Sequence, residues 1–141
     1  MTTAELENLA RIGRLKREPG VQAEFNGLVD SGKSRLADAL TTSLSWDGRF
    51  DLAYNAGHAL ALAALRWHGY RPDSRYMVFQ VLPHTLGLGA DVWRVLDKAH
   101  TLRNKAEYDG LLERDEQLLS ALVKAVREVC EAVVALAPLP R

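Results

Sequence analysis

The stretch DVWRVLDKAHTLRNKAEYDG, residues 91–110, predicts a helix that carries an arginine near its apolar side. Apolar residues recur there at positions 92, 95, 99, 102 and 106, which is the spacing of a helical stripe facing a core. At about 100° per residue, Arg103 lies within roughly 60° of the centre of this stripe, whereas Lys98 and Lys105 point the opposite way. A guanidinium held against a core is costly unless it is paired. We therefore expect Arg103 to meet a carboxylate of the protein or a phosphate of a ligand.

Helical spacing extends through the rest of the chain, and no segment alternates like a strand. Capping residues, glycines and prolines divide the sequence into predicted helices at about 2–18, 21–44, 48–68, 75–86, 90–108 and 113–136. Thr2 and Glu5 form a capping-box pattern at the first, and Pro83 interrupts the fourth. The sequence thus predicts an all-α, single-domain bundle of five to six helices. Residues 1–20 would form an N-terminal helix, and residues 21–141 the bundle itself.

The amino-acid composition excludes several classes of function for this protein. Lysine plus arginine and aspartate plus glutamate both number 18 in the 141 residues, so the balanced charge argues against a protein that coats nucleic acid. It leaves room for a small local anion site. The single cysteine, Cys130, excludes an intramolecular disulfide and a cysteine-based zinc site. The first residues lack the apolar core of a secretory signal, and Arg66 interrupts the most apolar stretch. We therefore expect a cytoplasmic protein without a membrane segment.

One motif is misleading. The sequence GLVDSGKS, residues 27–34, matches the G-x-x-x-x-G-K-S pattern of phosphate-binding loops in nucleotide hydrolases. That loop follows a buried strand, whereas the residues before it here are polar and helix-like. A helical apolar stripe also runs through the motif by way of Leu28, Gly32 and Leu36. We therefore interpret the segment as part of a helix, in which Gly32 either allows two helices to approach closely or weakens its own helix.

Two of the predicted helices carry matching polar strips. One strip consists of His100, Arg103, Asn104 and Glu107, and the other of Asp51, Asn55 and His58. If the two helices pack antiparallel, Asp51 comes near Arg103 and His58 comes near His100. The resulting cluster is either an internally satisfied network or a ligand-binding site, and the residues alone support the two interpretations equally.

Structural roles are expected for the other conspicuous side chains. His84 is assigned to a loop after Pro83, and His68 to a helix end where a cation would be favoured. Cys130 is expected in the core, and the tryptophans in packing or at a subunit interface: Trp46, Trp67 and Trp93. A zinc site of His58, His100 and Glu107 would lack the usual helical H-x-x-x-H pair. We expect no metal and no cofactor.

Two segments together point to a family. The sequence LRNKAEYD, residues 102–109, with the preceding helix DLAYNAGHALALA, residues 51–63, resembles the HEPN superfamily of small helical-bundle proteins. The resemblance implies a prokaryotic cytoplasmic protein that is often dimeric. Such proteins are often encoded beside a minimal nucleotidyltransferase or within toxin–antitoxin and defence loci. Active members are metal-independent ribonucleases whose Arg-polar-x-x-x-His motifs face each other across a dimer cleft.

The chain departs from this motif at its catalytic position. Arg103 and Asn104 match the first two positions, but Tyr108 stands where the histidine should be. A phenol, with an ordinary pKa of about 10, is a poor general base at neutral pH. His100, one turn before Arg103, could in principle replace the histidine. The tentative catalytic set is therefore Arg103, His100 and Tyr108.

These observations predict a HEPN-like homodimer that binds RNA or a nucleotide phosphate, with ribonuclease activity lost or weak. The expected ligand-binding residues are Asp51, Asn55, His58, Arg103, Asn104 and Glu107. Two alternatives stay open. The protein is either an interaction module that partners a nucleotidyltransferase, with a purely structural polar cluster, or an active metal-independent ribonuclease.

Overall fold

The computed structural model describes residues 4–110 and 114–139, except the side chains of residues 107–109. Within these ranges the chain forms seven helices and two short strands, so the predicted all-α class is confirmed. In chain order the elements are α1 (Ala4–Arg11), β1 (Leu15–Arg17), α2 (Gln22–Ala39), α3 (Trp46–Trp67), β2 (Tyr70–Pro72), α4 (Arg75–Gln80), α5 (Leu82–Thr85), α6 (Ala90–Asp109) and α7 (Glu116–Val134).

The N-terminal segment differs from its prediction. The first helix ends at Arg11 and not before Pro19, because Gly13 turns the chain with a φ of 83°. Residues Leu15–Arg17 then pair antiparallel with Tyr70–Pro72, with Leu15 opposite Pro72. Three-residue strands are too short to show an alternating pattern, so this pairing left no signal in the sequence. The proposed Thr2 cap lies outside the described residues.

Smaller corrections apply to two helix boundaries. The second helix ends at Ala39, five residues earlier than predicted, and Leu40 and Leu44 are partly exposed in the following turn. The predicted segment 75–86 is divided into α4 and α5, and Pro83 lies in the first turn of α5. His84 therefore lies in a short helix and not in a loop.

Helix α3 is the centre of the bundle. It begins at the Ser45 cap, whose side chain accepts a hydrogen bond from the Gly48 N–H, and α2 and α7 pack along it. At the crossing with α2, a Cβ on Gly32 would lie 2.5 Å from Leu60 Cγ. Gly32 thus allows a close approach of two helices, as predicted. The phosphate-loop match at residues 27–34 lies wholly inside α2, so the interpretation of that motif as helix is confirmed.

The deeply buried arginine of this fold is Arg66, near the end of α3. It is 1% exposed, and its Nε donates to Glu24 Oε1 at 2.5 Å. Its Nη1 and Nη2 donate to the backbone carbonyls of Glu18 and Pro19 at 2.8 and 2.9 Å. Arg66 therefore joins the end of α3 to the segment that leads into α2.

None of the helices described above is long and apolar enough to cross a membrane.

Candidate functional site

The polar strips of α3 and α6 meet as predicted. Asp51 lies beside Arg103, with 3.5 Å between Oδ1 and Nε. Three residues later on α3, the Tyr54 hydroxyl lies 2.9 Å from Nδ1 of His100, three residues earlier on α6. Because residue numbers rise on one helix as they fall on the other, α3 and α6 pack antiparallel. The contact between Asp51 and Arg103 predicted from the sequence is therefore present.

Tyr54 organises this cluster and was missed by the sequence analysis. Its side chain is fully buried, and its ring lies under the guanidinium of Arg103, with 4.9 Å from Cζ to the ring centre. Its hydroxyl reaches His100 at the same time. One signal was available, because Tyr54 follows Asp51 by three residues and precedes His58 by four, which puts all three on one helical face.

The imidazole of His100 is held at both of its nitrogens. The amide Nδ2 of Asn104 lies 3.1 Å from Nε2, and an amide nitrogen can only donate. In the neutral ring, Nε2 therefore accepts from Asn104, and Nδ1 carries the proton that is donated to the Tyr54 hydroxyl. These two hydrogen bonds fix the orientation of the His100 ring between α3, which carries Tyr54, and α6, which carries Asn104.

Helix α4 adds an aromatic side to the cluster, which the sequence analysis also missed. The ring of Tyr76 stacks on His100 with centroids 5.6 Å apart, and Phe79 meets the same imidazole edge-on at 6.1 Å. Phe79 also contacts the ring of His58. Burial, followed by the positive charges of Arg75, Arg103 and His100, lowers the pKa of His58 to about 4. His58 is therefore neutral near pH 7.

Asn55, another predicted site residue, bonds within its own helix in the described structure and not to Arg103 or His100. The Asn55 side chain donates to the backbone carbonyl of Asp51, one turn earlier on its own helix, at 2.9 Å. The side chains of Glu107 and Tyr108 lie outside the described residues, so their predicted roles stay predictions. Over the described part of the chain, no group of three histidine, cysteine or acidic side chains is placed to hold a metal ion.

One further histidine and two of the tryptophans have structural partners. Nε2 of His68 donates to the Thr85 carbonyl at 2.8 Å, and burial lowers the pKa of His68. His68 therefore has the structural role expected at a helix end, and its burial disfavours the charged form. The indoles of Trp46 and Trp67 donate to the backbone carbonyls of Asp115 and Ala137.

The geometry suits the binding of an anion. The Arg103 side chain is 26% exposed and its Asp51 partner 60% exposed, so this ion pair is screened by water and weak. A phosphate can compete with Asp51 for the guanidinium, whose planar arrangement of N–H donors matches phosphate oxygens. The buried Tyr54 ring supports Arg103 from below and limits the orientations it can adopt.

No family model, curated protein or solved structure matches the chain. A proposal on function therefore depends on the contacts of this site and on the sequence resemblance of residues 51–63 and 102–109 to HEPN proteins.

Proposed function

We propose that the chain is a HEPN-like helical protein that binds RNA or a nucleotide through its phosphate and works as a cytoplasmic homodimer in a prokaryote. Arg103 is the group that holds the phosphate, and Asn104 and His100 lie beside it. The observation that carries the proposal is the partly exposed guanidinium of Arg103, which lies over the Tyr54 ring beside Asp51.

The same cluster favours binding over cleavage. Attack of an RNA 2′-hydroxyl needs a base that can take its proton, and the motif position for that base holds Tyr108. His100 could act instead only by giving up a hydrogen bond, because Asn104 and Tyr54 engage its two nitrogens. A positioned arginine without such a base stabilises bound phosphate charge but does not activate the nucleophile.

Binding is tested with a fluorescein-labelled single-stranded oligoribonucleotide, followed by anisotropy at several salt concentrations. We expect Arg103→Gln to weaken binding about tenfold and to reduce the slope of log affinity against log salt by about one. The matched control is Arg35→Gln, which removes an exposed arginine of α2. Equal affinities for wild type and Arg103→Gln, with both proteins folded by circular dichroism, would contradict the proposal.

Cleavage is tested in the same samples with EDTA present. We expect the labelled RNA to stay intact over hours. If it is cleaved, and His100→Gln abolishes the cleavage, the protein is an active metal-independent ribonuclease with His100 as its base.

A second candidate function is an interaction module, such as the partner of a nucleotidyltransferase in a toxin–antitoxin or defence system. The observation in its favour is that the cluster is hydrogen-bonded internally, from Tyr54 through His100 to Asn104. In that case Arg103→Gln lowers the free energy of unfolding, and neither wild type nor variant binds RNA. Stability and anisotropy measured on the same pair of proteins separate the two functions.

A further inference from the structure

A second surface of the molecule carries separated charges. Helices α6 and α7 pack antiparallel, and three cavities open along the seam between them, a surface that we call the α6–α7 groove. Two adjoining cavities of about 420 and 320 Å³ open at one end of it, and a cavity of about 500 Å³ opens at the other. Lys98 lies about 140° around α6 from Arg103, so the groove is on a different side of the helix from the Arg103 cluster.

One end of the α6–α7 groove is basic. Arg94, Lys98 and Lys105 line it from α6, and all three are exposed. Asp115 also lines this end, but its Oδ1 accepts a hydrogen bond from the Leu118 N–H as the cap of α7. Its carboxylate is therefore partly neutralised by the helix N-terminus.

The opposite end of the groove is acidic. Asp91 at the start of α6 lines it together with Glu128 and Glu131 of α7. Asp91 and Lys105 lie on one helix, about 21 Å apart along its axis at about 1.5 Å per residue. A chain with no net charge thus concentrates opposite charges at the two ends of one groove.

The floor of the groove at its basic end is apolar. Val95 and Leu102 of α6 and Ala121 of α7 are partly exposed there, and Leu118 is buried beside them. Five of the α6 residues that line the groove follow one another at steps of four and three: Asp91, Val95, Lys98, Leu102 and Lys105. This is the spacing by which a helix packs against another helix.

The opposite charges at the two ends of the groove favour one kind of binding partner over others. An RNA strand along the groove would meet three carboxylates at the acidic end, and an acidic helix of another protein would meet the same repulsion. A second copy of this chain, related by a two-fold axis across the groove, places each basic end on the acidic end of its partner. That arrangement satisfies both ends and covers the apolar floor with α6 and α7 of the other copy.

We propose that the α6–α7 groove is the homodimer interface, formed by two antiparallel α6–α7 pairs with the basic end of each on the acidic end of the other. The inference deepens the dimer of the proposed function and specifies its surface. In this arrangement the two Arg103 clusters lie on outward sides of the dimer, each formed within one chain, which differs from the facing motifs that the HEPN resemblance implies for active members.

Charge reversal tests the interface. One variant carries Lys98→Glu with Lys105→Glu, and a second carries Glu128→Lys with Glu131→Lys. Each is expected to be a monomer by sedimentation velocity at concentrations where wild type is a dimer. Mixed in equal amounts, the two variants are expected to regain the dimer, because each then presents charges opposite to its partner at both ends. The matched control is Lys33→Glu with Arg35→Glu on α2, which is expected to stay dimeric.

Salt provides a second measurement. The dissociation constant of the wild-type dimer is expected to rise about tenfold or more between about 0.1 M and about 1 M NaCl, where the Debye length falls from about 10 Å to about 3 Å. A monomeric wild type, a dimer that survives both charge reversals, or failure of the mixed variants to associate would each overturn the inference.

Oligoribonucleotide binding measured on the same proteins separates this inference from the anion site. If the α6–α7 groove is the interface, adding Arg103→Gln to either charge-reversal variant lowers its affinity for RNA as it does in wild type. Arg103→Gln alone stays dimeric. If the lysine reversal abolishes RNA binding and leaves the dimer intact, the groove is an RNA surface and the interface lies elsewhere. If Arg103→Gln changes nothing but the groove variants dissociate, the dimer stands and the anion site fails.

Discussion

The buried side chain of Arg66 connects several segments of the chain. Its guanidinium has two carboxylates and three backbone carbonyls as partners, from Glu18, Pro19, Glu24 and Tyr70. A hydrogen bond from Arg71 lowers the pKa of Glu18, and a hydrogen bond from Arg66 lowers that of Glu24, and the positive charges of both arginines add to each effect. Both carboxylates are about one-third exposed, so the network is anchored by the arginine and open to water on its acidic side.

We expect Arg66→Met to lower the free energy of unfolding by about 3–5 kcal/mol, because it leaves three backbone carbonyls without this donor and removes the buried partner of two carboxylates, which then have only Arg71. The matched control is Arg71→Met, whose side chain is 40% exposed and pairs with the same carboxylates. That change is expected to cost less than about 1 kcal/mol. Chemical denaturation of the three proteins provides the comparison, and equal losses for the two variants would contradict it.

His58 gives the stability a defined pH dependence. Its pKa falls from 6.5 when unfolded to about 4 when folded, so between these values the unfolded chain binds the extra proton. The contribution of neutral His58 is therefore complete above pH 6.5 and is lost as the pH falls toward 4. We expect His58→Gln to flatten this part of the curve of unfolding free energy against pH, by up to about 3 kcal/mol. Titration of the His58 ring by NMR locates its pKa directly, and a value near 6.5 would contradict the account.

Arg103 and Arg66 show which features of the site can be predicted from the sequence and which cannot. Spacing alone brought Asp51 to Arg103, because both positions follow from helical periodicity and antiparallel packing. Spacing could not show that Arg66 is more deeply buried than Arg103. Arg66 lies in an apolar segment typical of a core, and its partners come from residues 18–24 and 70. Tyr76 was missed for the same reason, because α4 reaches His100 only in the folded chain.

At the scale of elements, helix limits were predictable where capping residues act and unpredictable where tertiary contacts decide. Ser45 begins α3 and Gly110, with a φ of 72°, ends α6, both close to the predicted boundaries. The pairing of Leu15–Arg17 with Tyr70–Pro72 depends on residues more than fifty positions apart. Local pattern carries no information on such a contact.

The two glycines of the 27–34 motif predict opposite effects within one helix. A Cβ at Gly32 would lie 2.5 Å from Leu60, whereas one at Gly27 would meet nothing within 4 Å. We therefore expect Gly32→Ala to destabilise the fold by about 1–3 kcal/mol through overpacking. Gly27→Ala is expected to stabilise it by about 0.5–1 kcal/mol, because alanine favours a helix. Thermal unfolding of both variants gives the signs, and a stabilising Gly32→Ala would refute the close approach of α2 and α3.

At the scale of the whole molecule, the two ends of α3 have different tasks. Asp51, near its start, belongs to the exposed Arg103 cluster, and Arg66, near its end, belongs to the buried network. The two positions are about 22 Å apart along the helix. Substitutions at the Arg66 end should therefore change stability with little effect on anion binding, since the described contacts of the two sites have no residue in common.

The C-terminal segment closes the Arg66 end of the bundle. The Trp67 indole donates to the Ala137 carbonyl at 2.7 Å, and the Leu139 N–H donates to the Gln22 side chain at 2.8 Å. Leu136 and Leu139 are partly buried against the core. We expect a chain that ends at Ala135 to lose about 1–3 kcal/mol, since it gives up two hydrogen bonds and the burial of two leucines, less the ordering entropy of the segment.

Urea denaturation followed by tryptophan fluorescence measures this loss and reports on Trp67 in the same experiment. Leu139→Ala serves as the partial change and should give less than half of the effect, because it keeps the contact between Trp67 and Ala137. Oligoribonucleotide binding by the shortened chain should equal that of wild type below the unfolding transition, since the segment packs at the opposite end of α3 from Arg103. An unchanged denaturation midpoint would show that the segment does not close the bundle, and weakened RNA binding would show that the two ends of α3 are coupled.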